Sequence, residues 1–138
     1  SAVAVVLAQS GCNAPFAFNR KEAKDHGEGG NIIGAALSGR VLIIDDVISA
    51  GTAVRESLDL IRAADATPCG VVVSLDRMER GAGALSAIQE VQQSYGIPVV
   101  SVATLDDLVG YLKTEPAHAP DLEAVGRYRE QYGVTTHA

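Results

Sequence analysis

Three short aliphatic runs, each followed by a stretch with helical spacing, constrain the possible folds of this chain most strongly. The runs lie at 41–44, 70–75 and 98–103 and are rich in valine and isoleucine. Continuous runs of this length are typical of parallel strands that are covered on both faces. Because strands and helices alternate along the chain, we predict an α/β fold with a mainly parallel sheet flanked by helices.

The helices predicted between and after these strands have recognisable apolar stripes and ends. The first two stripes consist of Val54, Leu58 and Ile61 in one helix, and of Leu85, Ile88, Val91 and Tyr95 in the next. Thr104 and Asp107 resemble a capping box, with Asp in place of the usual Glu or Gln, that opens a third helix. The apolar segment 2–9, which Gly11 ends, predicts a packed helix, and 121–132 predicts a last amphipathic helix.

Length and charge narrow the class of protein. The chain has 138 residues, which predicts one domain at 1–138, and its net charge of −6 argues against a nucleic-acid partner. No apolar run is long enough to span a bilayer, and the start lacks the basic residues of a signal peptide. Cys12 and Cys69 are expected to be free thiols, so we expect a cytoplasmic protein without a membrane partner. Because the chain begins at Ser1, without Met, we expect a C-terminal fragment of a longer chain.

The turn after the first run is the most informative segment of the sequence. The run 41–44 ends in two adjacent carboxylates, Asp45 and Asp46, and a turn of small residues then leads into a helix. Ligands of open α/β sheets bind at the carboxyl ends of strands, and backbone N–H groups at a helix N-terminus favour an anion. Gly51 allows the backbone to approach such a ligand closely. We therefore predict that a phosphate monoester binds at the following residues: Val47, Ile48, Ser49, Ala50, Gly51, Thr52 and Ala53.

The two carboxylates have a functional and a purely structural interpretation. Carboxylates accept hydrogen bonds, so Asp45 and Asp46 would suit ribose hydroxyls, directly or through a hydrated Mg²⁺. Alternatively, they end a strand and help to cap the next helix, as acidic residues often do at such a place. Either residue alone leaves both interpretations open, whereas the whole segment is far more specific.

Segment 41–54 resembles the motif with which type I phosphoribosyltransferases bind 5-phosphoribosyl 1-pyrophosphate (PRPP). In that family two acidic residues follow a hydrophobic strand, and a small Ser/Thr/Gly loop holds the 5-phosphate. Two other segments are similar to those of the orotate phosphoribosyltransferases: 18–30 to their catalytic loop, and 74–81 to their orotate-binding segment. The resemblance extends over essentially the whole chain, including the Tyr-Arg-Glu-Gln-Tyr sequence of the final helix.

The segment 18–30 concentrates cations that could stabilise a pyrophosphate leaving group. The resemblance implies that Arg20, Lys21, Lys24 and His26 are catalytic and bind PRPP. Three glycines would let the loop open and close, which would exclude water from the reaction. The resemblance also implies a homodimer in which this loop reaches the neighbouring subunit's site. Without the motif, a solvated charged loop would be the simpler interpretation.

Arg77 is the candidate residue for recognising the base. Its planar guanidinium can pair bidentately with the carboxylate of orotate, and the family has the same residue at this position. Ser49 stands where the family usually has Thr, at a position implied to contact both orotate and phosphate. Glu79 and Arg80 are expected to be solvent-exposed partners.

The resemblance implies an enzyme that joins orotate to PRPP, with Mg²⁺ as cofactor, and produces orotidine 5′-monophosphate and pyrophosphate in pyrimidine biosynthesis. The metal would be held with PRPP near Asp45 and Asp46, without a direct protein site. Catalysis would depend on positioning, water exclusion and charge stabilisation. Three alternatives stay open: a phosphoribosyltransferase for another base, a PRPP-binding regulator, and an inactive fragment. The last arises because the family carries an N-terminal segment, with further orotate and pyrophosphate contacts, before the point where this chain begins.

Overall fold

The computed structural model describes residues 1–20, 32–49 and 51–134 of the chain. From residue 40 to residue 112, strands and helices alternate as the aliphatic runs predict. In chain order the elements are α1 (Ala2–Gln9), β1 (Ala17–Asn19), β2 (Ile32–Gly34), β3 (Arg40–Asp45), α2 (Thr52–Ala63), β4 (Thr67–Asp76), α3 (Ala87–Tyr95), β5 (Val99–Thr104), α4 (Leu105–Leu112), a 3-10 turn (Pro116–His118) and α5 (Ala119–Tyr132).

The main sheet contains three parallel strands in the order β3, β4, β5. Asp45 pairs with Val73 across β3 and β4, and Asp76 pairs with Thr104 across β4 and β5. The carboxyl ends of the three strands therefore lie along one edge of the sheet. β1 and β2 form a separate antiparallel pair. The predicted α/β fold, with a mainly parallel sheet and flanking helices, is confirmed.

One face of the main sheet carries the hydrophobic core. Leu58 of α2 and Val73 of β4 are fully buried, and Val54 and Val71 are almost as inaccessible. Further core residues come from the strands and helices around this face: Ile43, Ile61, Ile88, Val91 and Val99. Residues three or four apart share a helix face, so the apolar stripe predicted for α2 lies on its buried side, and that prediction is confirmed.

The opposite face of the main sheet is exposed in the described part of the chain, so the expectation of strands covered on both faces is wrong there. Leu42 and Ile44 of β3 are 49% and 47% exposed, and Val100 and Val102 of β5 are 59% and 79% exposed. Neighbouring side chains of a strand point to opposite faces, so these residues alternate with core residues such as Ile43. The buried residues of α2 and α3 all belong to the same cluster as Ile43, so both helices pack on one face.

α1 is apolar but contributes nothing to the core. It has the predicted bounds, and Gly11 follows its end with a φ of +86°. None of its residues is buried, so the expectation that it is packed is wrong for the described structure. Its eight residues are too few to cross a membrane, and no other helix within the described ranges has the length and apolar character that crossing requires.

α3 begins later than its apolar stripe predicts. Leu85 lies outside the helix and is 37% exposed. The Ser86 hydroxyl accepts the backbone N–H of Gln89 at 3.1 Å, and the Gln89 side chain accepts the backbone N–H of Ser86 at 2.8 Å. The Ser-x-x-Gln sequence is the signature of a capping box, and this signal would have located the boundary.

The capping box predicted at the start of α4 is confirmed. The Thr104 hydroxyl accepts the backbone N–H of Asp107 at 3.2 Å, and an Asp107 carboxylate oxygen accepts the Thr104 backbone N–H at 2.8 Å. The same oxygen accepts the Thr104 hydroxyl at 2.7 Å. Both bonds to this oxygen favour the charged carboxylate and hold the pKa of Asp107 below its ordinary value. The bond from the Thr104 hydroxyl lowers the pKa most, and the bond from the Thr104 backbone comes second.

We expect this capping box to make the free energy of unfolding depend on pH in the acidic range. A carboxyl whose pKa is lowered by folding contributes stability above its unfolded pKa, and this is lost as pH falls through the lowered folded value. Thr104→Val removes the hydroxyl that is the main cause of the lowered pKa. Its melting temperature should therefore fall less steeply than that of the wild type between about pH 5 and pH 2. Thermal unfolding followed by circular dichroism measures the difference.

Ser86→Ala is the matched control, because the capping box of α3 uses the neutral Gln89. This variant should melt below the wild type by the same amount at every pH. If the melting temperature falls equally steeply with decreasing pH in the wild type and in Thr104→Val, the prediction is contradicted.

Candidate active site

The turn between β3 and α2 lies at the carboxyl edge of the main sheet. Gly51 is the N-cap of α2 with a φ of +68°, and its carbonyl accepts the backbone N–H of Arg55 at 3.0 Å. A Cβ added at Gly51 would lie 3.2 Å from Cγ2 of Val91 in α3. The left-handed conformation and the limited space both favour glycine at this point of the turn.

A cavity of about 280 Å³ opens at this turn. It is lined by Asp45, Val47, Ile48, Ser49, Gly51, Thr52, Ala53 and Val54, and so by every predicted phosphate-binding residue that the structure describes. The Ile48 side chain belongs to the core, so this residue can offer a ligand only its backbone. The structure thus brings the residues of the predicted turn together around one space at a helix N-terminus, where an anion is favoured.

The two adjacent carboxylates of the turn are held by backbone groups. Oδ1 of Asp45 accepts the backbone N–H of Asp46 at 2.9 Å, and Oδ1 of Asp46 accepts that of Val47 at 2.7 Å. Burial raises the pKa of Asp45; the hydrogen bond from the Asp46 backbone opposes this rise, and the negative charge of Asp46 adds to it. Both carboxylates therefore shape the turn, and Asp45 also lines the cavity, so the structural and ligand-binding interpretations are compatible.

Arg77 connects the end of β4 with the turn 47–53, which is the predicted phosphate turn. β4 ends at Asp76, so Arg77 starts from the same sheet edge as Asp45. Its Nη2 donates to Oγ of Ser49 at 2.6 Å. Two residues 28 positions apart, both predicted to contact the base, are therefore in direct contact. The structure brings the predicted base-binding and phosphate-binding residues together at one place.

The expectation that Glu79 is solvent-exposed is wrong. Its side chain is 17% exposed, and its Oε2 lies 3.0 Å from Nη2 of Arg77. Arg80 is exposed as expected, and its Nη2 donates to the carbonyl of Gln131 at 2.9 Å. The spacing of two does not predict this pair, because the intervening Met78 has a φ of +53° and the segment is not extended there. Glu79 is thus a residue of the candidate site that was not predicted.

A larger cavity, of about 520 Å³, lies beside the loop after β4. It is lined by Glu79, Arg80, Gly81, Ala82, Gly83 and Tyr132. The backbone N–H groups of Arg80 to Gly83 all donate within the protein, to Tyr132 and Leu85 carbonyls and to the Glu90 carboxylate. These four backbone donors are therefore not free to bind an anion in this cavity.

The predicted basic loop lies largely outside the described residues. Lys21, Lys24 and His26 fall there, as does Ala50 of the phosphate turn. Arg20 is described, directly after β1, and is exposed. The roles predicted for these residues stay predictions.

Metal binding can be judged from the donor groups of the site. Within the described ranges, no group of three or more His, Cys, Asp or Glu side chains could hold a metal ion. Asp45 and Asp46 nevertheless offer carboxylate oxygens beside the phosphate turn. Mg²⁺ is commonly bound by one or two carboxylates together with substrate phosphates and water. The residues present therefore fit a Mg²⁺ ion that binds together with a phosphorylated ligand.

Comparison with curated proteins identifies the relatives of the chain. No protein-family model matches it. It is 64% identical over 134 residues to the orotate phosphoribosyltransferase of Thiobacillus denitrificans, which covers 97% of this chain and 63% of that protein. It is 65% identical over 133 residues to the orotate phosphoribosyltransferase of Laribacter hongkongensis, and this match covers 96% of this chain and 62% of that protein. Over nearly its whole length, the chain is thus similar to orotate phosphoribosyltransferases.

Solved structures of orotate phosphoribosyltransferases have the same fold. The crystal structure from Francisella tularensis matches with a TM-score of 0.75 at 34% identity, over 96% of this chain and 63% of that one. The structure from Aeropyrum pernix matches with a TM-score of 0.58 at 32% identity, over 80% of this chain and 58% of that one. The chain therefore spans less than two thirds of the length of the orotate phosphoribosyltransferases that it matches.

Proposed function

We propose that this chain forms the PRPP-binding part of an orotate phosphoribosyltransferase. The whole enzyme would transfer the 5-phosphoribosyl group of PRPP to orotate and release orotidine 5′-monophosphate and pyrophosphate, in pyrimidine biosynthesis. The hydrogen bond between Arg77 and Ser49 is the observation that carries the proposal. It joins an arginine suited to a carboxylate with a turn suited to a phosphate, as a reaction between orotate and PRPP requires.

Each part of the site has a role that follows from its chemistry. The hydroxyls of Ser49 and Thr52, with the backbone N–H groups of the turn, would hold the 5-phosphate at the N-terminus of α2. Asp45 and Asp46 would accept hydrogen bonds from the ribose hydroxyls. Arg77 would pair with the orotate carboxylate. The reaction then depends on positioning the two substrates, and no nucleophilic side chain is required.

Mg²⁺ is the cofactor that we propose for this reaction. When bound together with PRPP, it would offset the negative charge of the pyrophosphate. Asp45 and Asp46 are the residues of this chain near which it would be held, through PRPP and water molecules.

The basic loop is proposed to act on the pyrophosphate. Arg20, Lys21, Lys24 and His26 would place up to four cations around the leaving group, where negative charge develops as the bond to the ribose breaks. Closure of the loop would also keep water from the activated sugar. By its resemblance to the family, the loop would act in the neighbouring subunit's site of a homodimer.

A cytoplasmic enzyme without nucleic-acid or membrane partners is proposed. Cys12 and Cys69 are free thiols, which is usual in a reducing compartment. The net charge of −6 disfavours attraction to nucleic acids or to anionic lipids.

The proposal is tested by following the absorbance of orotate after PRPP and Mg²⁺ are added. The assay uses this chain and, in parallel, a full-length protein, meaning the chain extended to the length of its relatives. We expect the full-length protein to consume orotate only when PRPP is present. Activity in the full-length protein and none in this chain would show that the chain alone is an inactive fragment.

The alternatives predict other outcomes of the same assay. Uracil, adenine and hypoxanthine replace orotate as controls for the choice of base. Turnover of one of these bases without turnover of orotate would overturn the proposal. PRPP binding by the full-length protein with no turnover of any base would instead indicate a regulator.

A further inference from the structure

Arg77 and Glu79 form the most protected ion pair among the described residues. Nη2 of Arg77 lies 3.0 Å from Oε2 of Glu79, and the two side chains are 31% and 17% exposed. In each of the other three pairs, at least one partner is 57% exposed or more. Exposed pairs contribute little to stability because solvent screens them, so a protected pair at a candidate site calls for a specific explanation.

The backbone on both sides of Glu79 is held by distant parts of the chain. Glu79 forms an antiparallel bridge with Gly133, directly after α5, and its carbonyl accepts the backbone N–H of Ala87 at 3.0 Å. The N–H of Arg80 donates to the carbonyl of Tyr132 at 2.9 Å. With its backbone anchored in this way, the Glu79 carboxylate reaches Arg77 from a defined position.

The residue between the two partners has an uncommon conformation. Met78 has a φ of +53°, and its backbone N–H donates to Oδ1 of Asp76 at 2.8 Å. Its carbonyl accepts the backbone N–H of Val134 at 3.1 Å. A non-glycine residue in the left-handed region carries a conformational cost that surrounding contacts must offset, and such residues cluster at functional sites. The chain therefore maintains a strained link between Arg77 and Glu79.

One guanidinium nitrogen of Arg77 has two polar neighbours. Nη2 donates to Oγ of Ser49 at 2.6 Å and faces Oε2 of Glu79 at 3.0 Å. The hydrogen bond to Ser49 and the ion pair with Glu79 therefore act on the same end of the planar group. Nε of Arg77 is buried and has no hydrogen-bond partner in the described part of the chain. Leaving a buried donor unpaired is unfavourable, so the orientation of the guanidinium is imposed by Glu79 and Ser49.

We propose that Glu79 is a positioning residue that holds the Arg77 guanidinium in the orientation for the carboxylate of the base. The inference rests on the proposed function, in which Arg77 binds orotate. Glu79 itself would not touch the substrates, since its carboxylate would repel that of orotate. The opposite interpretation, that Glu79 competes with orotate for Arg77, predicts tighter orotate binding when Glu79 is removed.

The test compares Glu79→Ala and Glu79→Gln in the full-length protein. The measured quantities are kcat, the KM for orotate and the KM for PRPP. Glu79→Ala should raise the KM for orotate by about tenfold and leave the KM for PRPP within about twofold, because only the guanidinium loses its anchor. Glu79→Gln should recover most of the loss, since its amide oxygen lies at the same place and can accept a hydrogen bond from Nη2 of Arg77. If Glu79→Ala does not fold, Glu79→Asp replaces it, because the shorter side chain cannot reach Nη2.

Glu90→Ala is the matched control for a merely structural role. The Glu90 carboxylate accepts the backbone N–H groups of Ala82 and Gly83 at 3.0 and 2.7 Å, so it holds the same loop without touching Arg77. This variant should lower the melting temperature but leave the KM for orotate unchanged. Equal effects of Glu79→Ala and Glu90→Ala on both KM values, or an orotate KM that is unchanged or lower in Glu79→Ala, would overturn the inference. A wild-type full-length protein that does not turn over orotate would instead reject the proposed function, before any variant is compared.

Discussion

Arg77→Ala in the full-length protein will lower kcat/KM for orotate by about a hundredfold and change the KM for PRPP little. Charge-assisted hydrogen bonds between a guanidinium and a carboxylate contribute about 3 kcal/mol, and about 1.4 kcal/mol corresponds to a factor of ten. PRPP binding should survive, because Arg77 bonds the side chain of Ser49, whereas the backbone groups at the N-terminus of α2 stay in place. Initial rates of orotate absorbance loss at varied concentrations of each substrate measure both effects.

Two further variants sharpen this prediction. Arg80→Ala removes the same charge three residues along the chain, from an exposed side chain that bonds to Gln131, and should keep nearly normal kinetics. Arg77→Lys keeps the charge but loses the planar fork, so its kcat/KM should lie between those of the wild type and Arg77→Ala. A loss in PRPP affinity rather than in orotate affinity, or equal losses in Arg77→Ala and Arg80→Ala, would contradict the assigned role.

Lys24→Ala is expected to lower kcat by about two to three orders of magnitude with little change in melting temperature. Negative charge develops on the pyrophosphate as it leaves, and removal of one preorganised electrostatic partner of such charge costs about this much in kcat. The prediction rests on the charge pattern of the loop and on the family resemblance, because Lys24 lies outside the described residues. Steady-state rates with saturating orotate and PRPP measure the effect.

The control for Lys24→Ala is Lys113→Ala, which removes an exposed lysine at the end of α4. This variant should keep wild-type turnover. Near wild-type turnover in Lys24→Ala would remove Lys24 from the catalytic residues.

Mixing Lys24→Ala with Arg77→Ala subunits tests whether the loop acts in the partner's site of a homodimer. In a mixed dimer, one site would combine an intact Arg77 with an intact loop, and the other site would lack both. Half of the dimers are mixed after random exchange, so about a quarter of the wild-type activity should return. If the loop acts within its own subunit, no activity returns.

The phosphate turn could be predicted from the sequence because its parts are neighbours along the chain. An aliphatic strand, two carboxylates, a glycine and a helix start lie within 41–54, and local backbone rules place them at the edge of a sheet. The structure adds the distances: Oδ1 of Asp45 lies 2.9 Å from the Asp46 nitrogen, and the turn surrounds a cavity of about 280 Å³. Local order along the chain therefore sufficed for this half of the candidate site.

The Arg77–Glu79 pair could not be predicted in the same way. Its geometry depends on the left-handed backbone of Met78 and on the bridge to Gly133, which is more than fifty positions further along the chain. Nothing in the five residues around Arg77 encodes that bridge. For this reason Glu79 was expected to be exposed, whereas the folded chain turns its carboxylate towards Arg77.

By itself, the sequence determined the order of strands and helices from β3 onward, the stripe of α2 that is buried, the capping box at Thr104 and the turn of small residues between β3 and α2. These features follow from spacings of two to four residues, over which neighbouring side chains share a face or a backbone group. Only the tertiary structure decided which face of the main sheet is covered, that α1 stays unburied, and that Arg77 meets both Ser49 and Glu79. The physical reason is that burial and ion pairing depend on which distant segments come together, and the sequence of a strand does not show which segments lie on its faces.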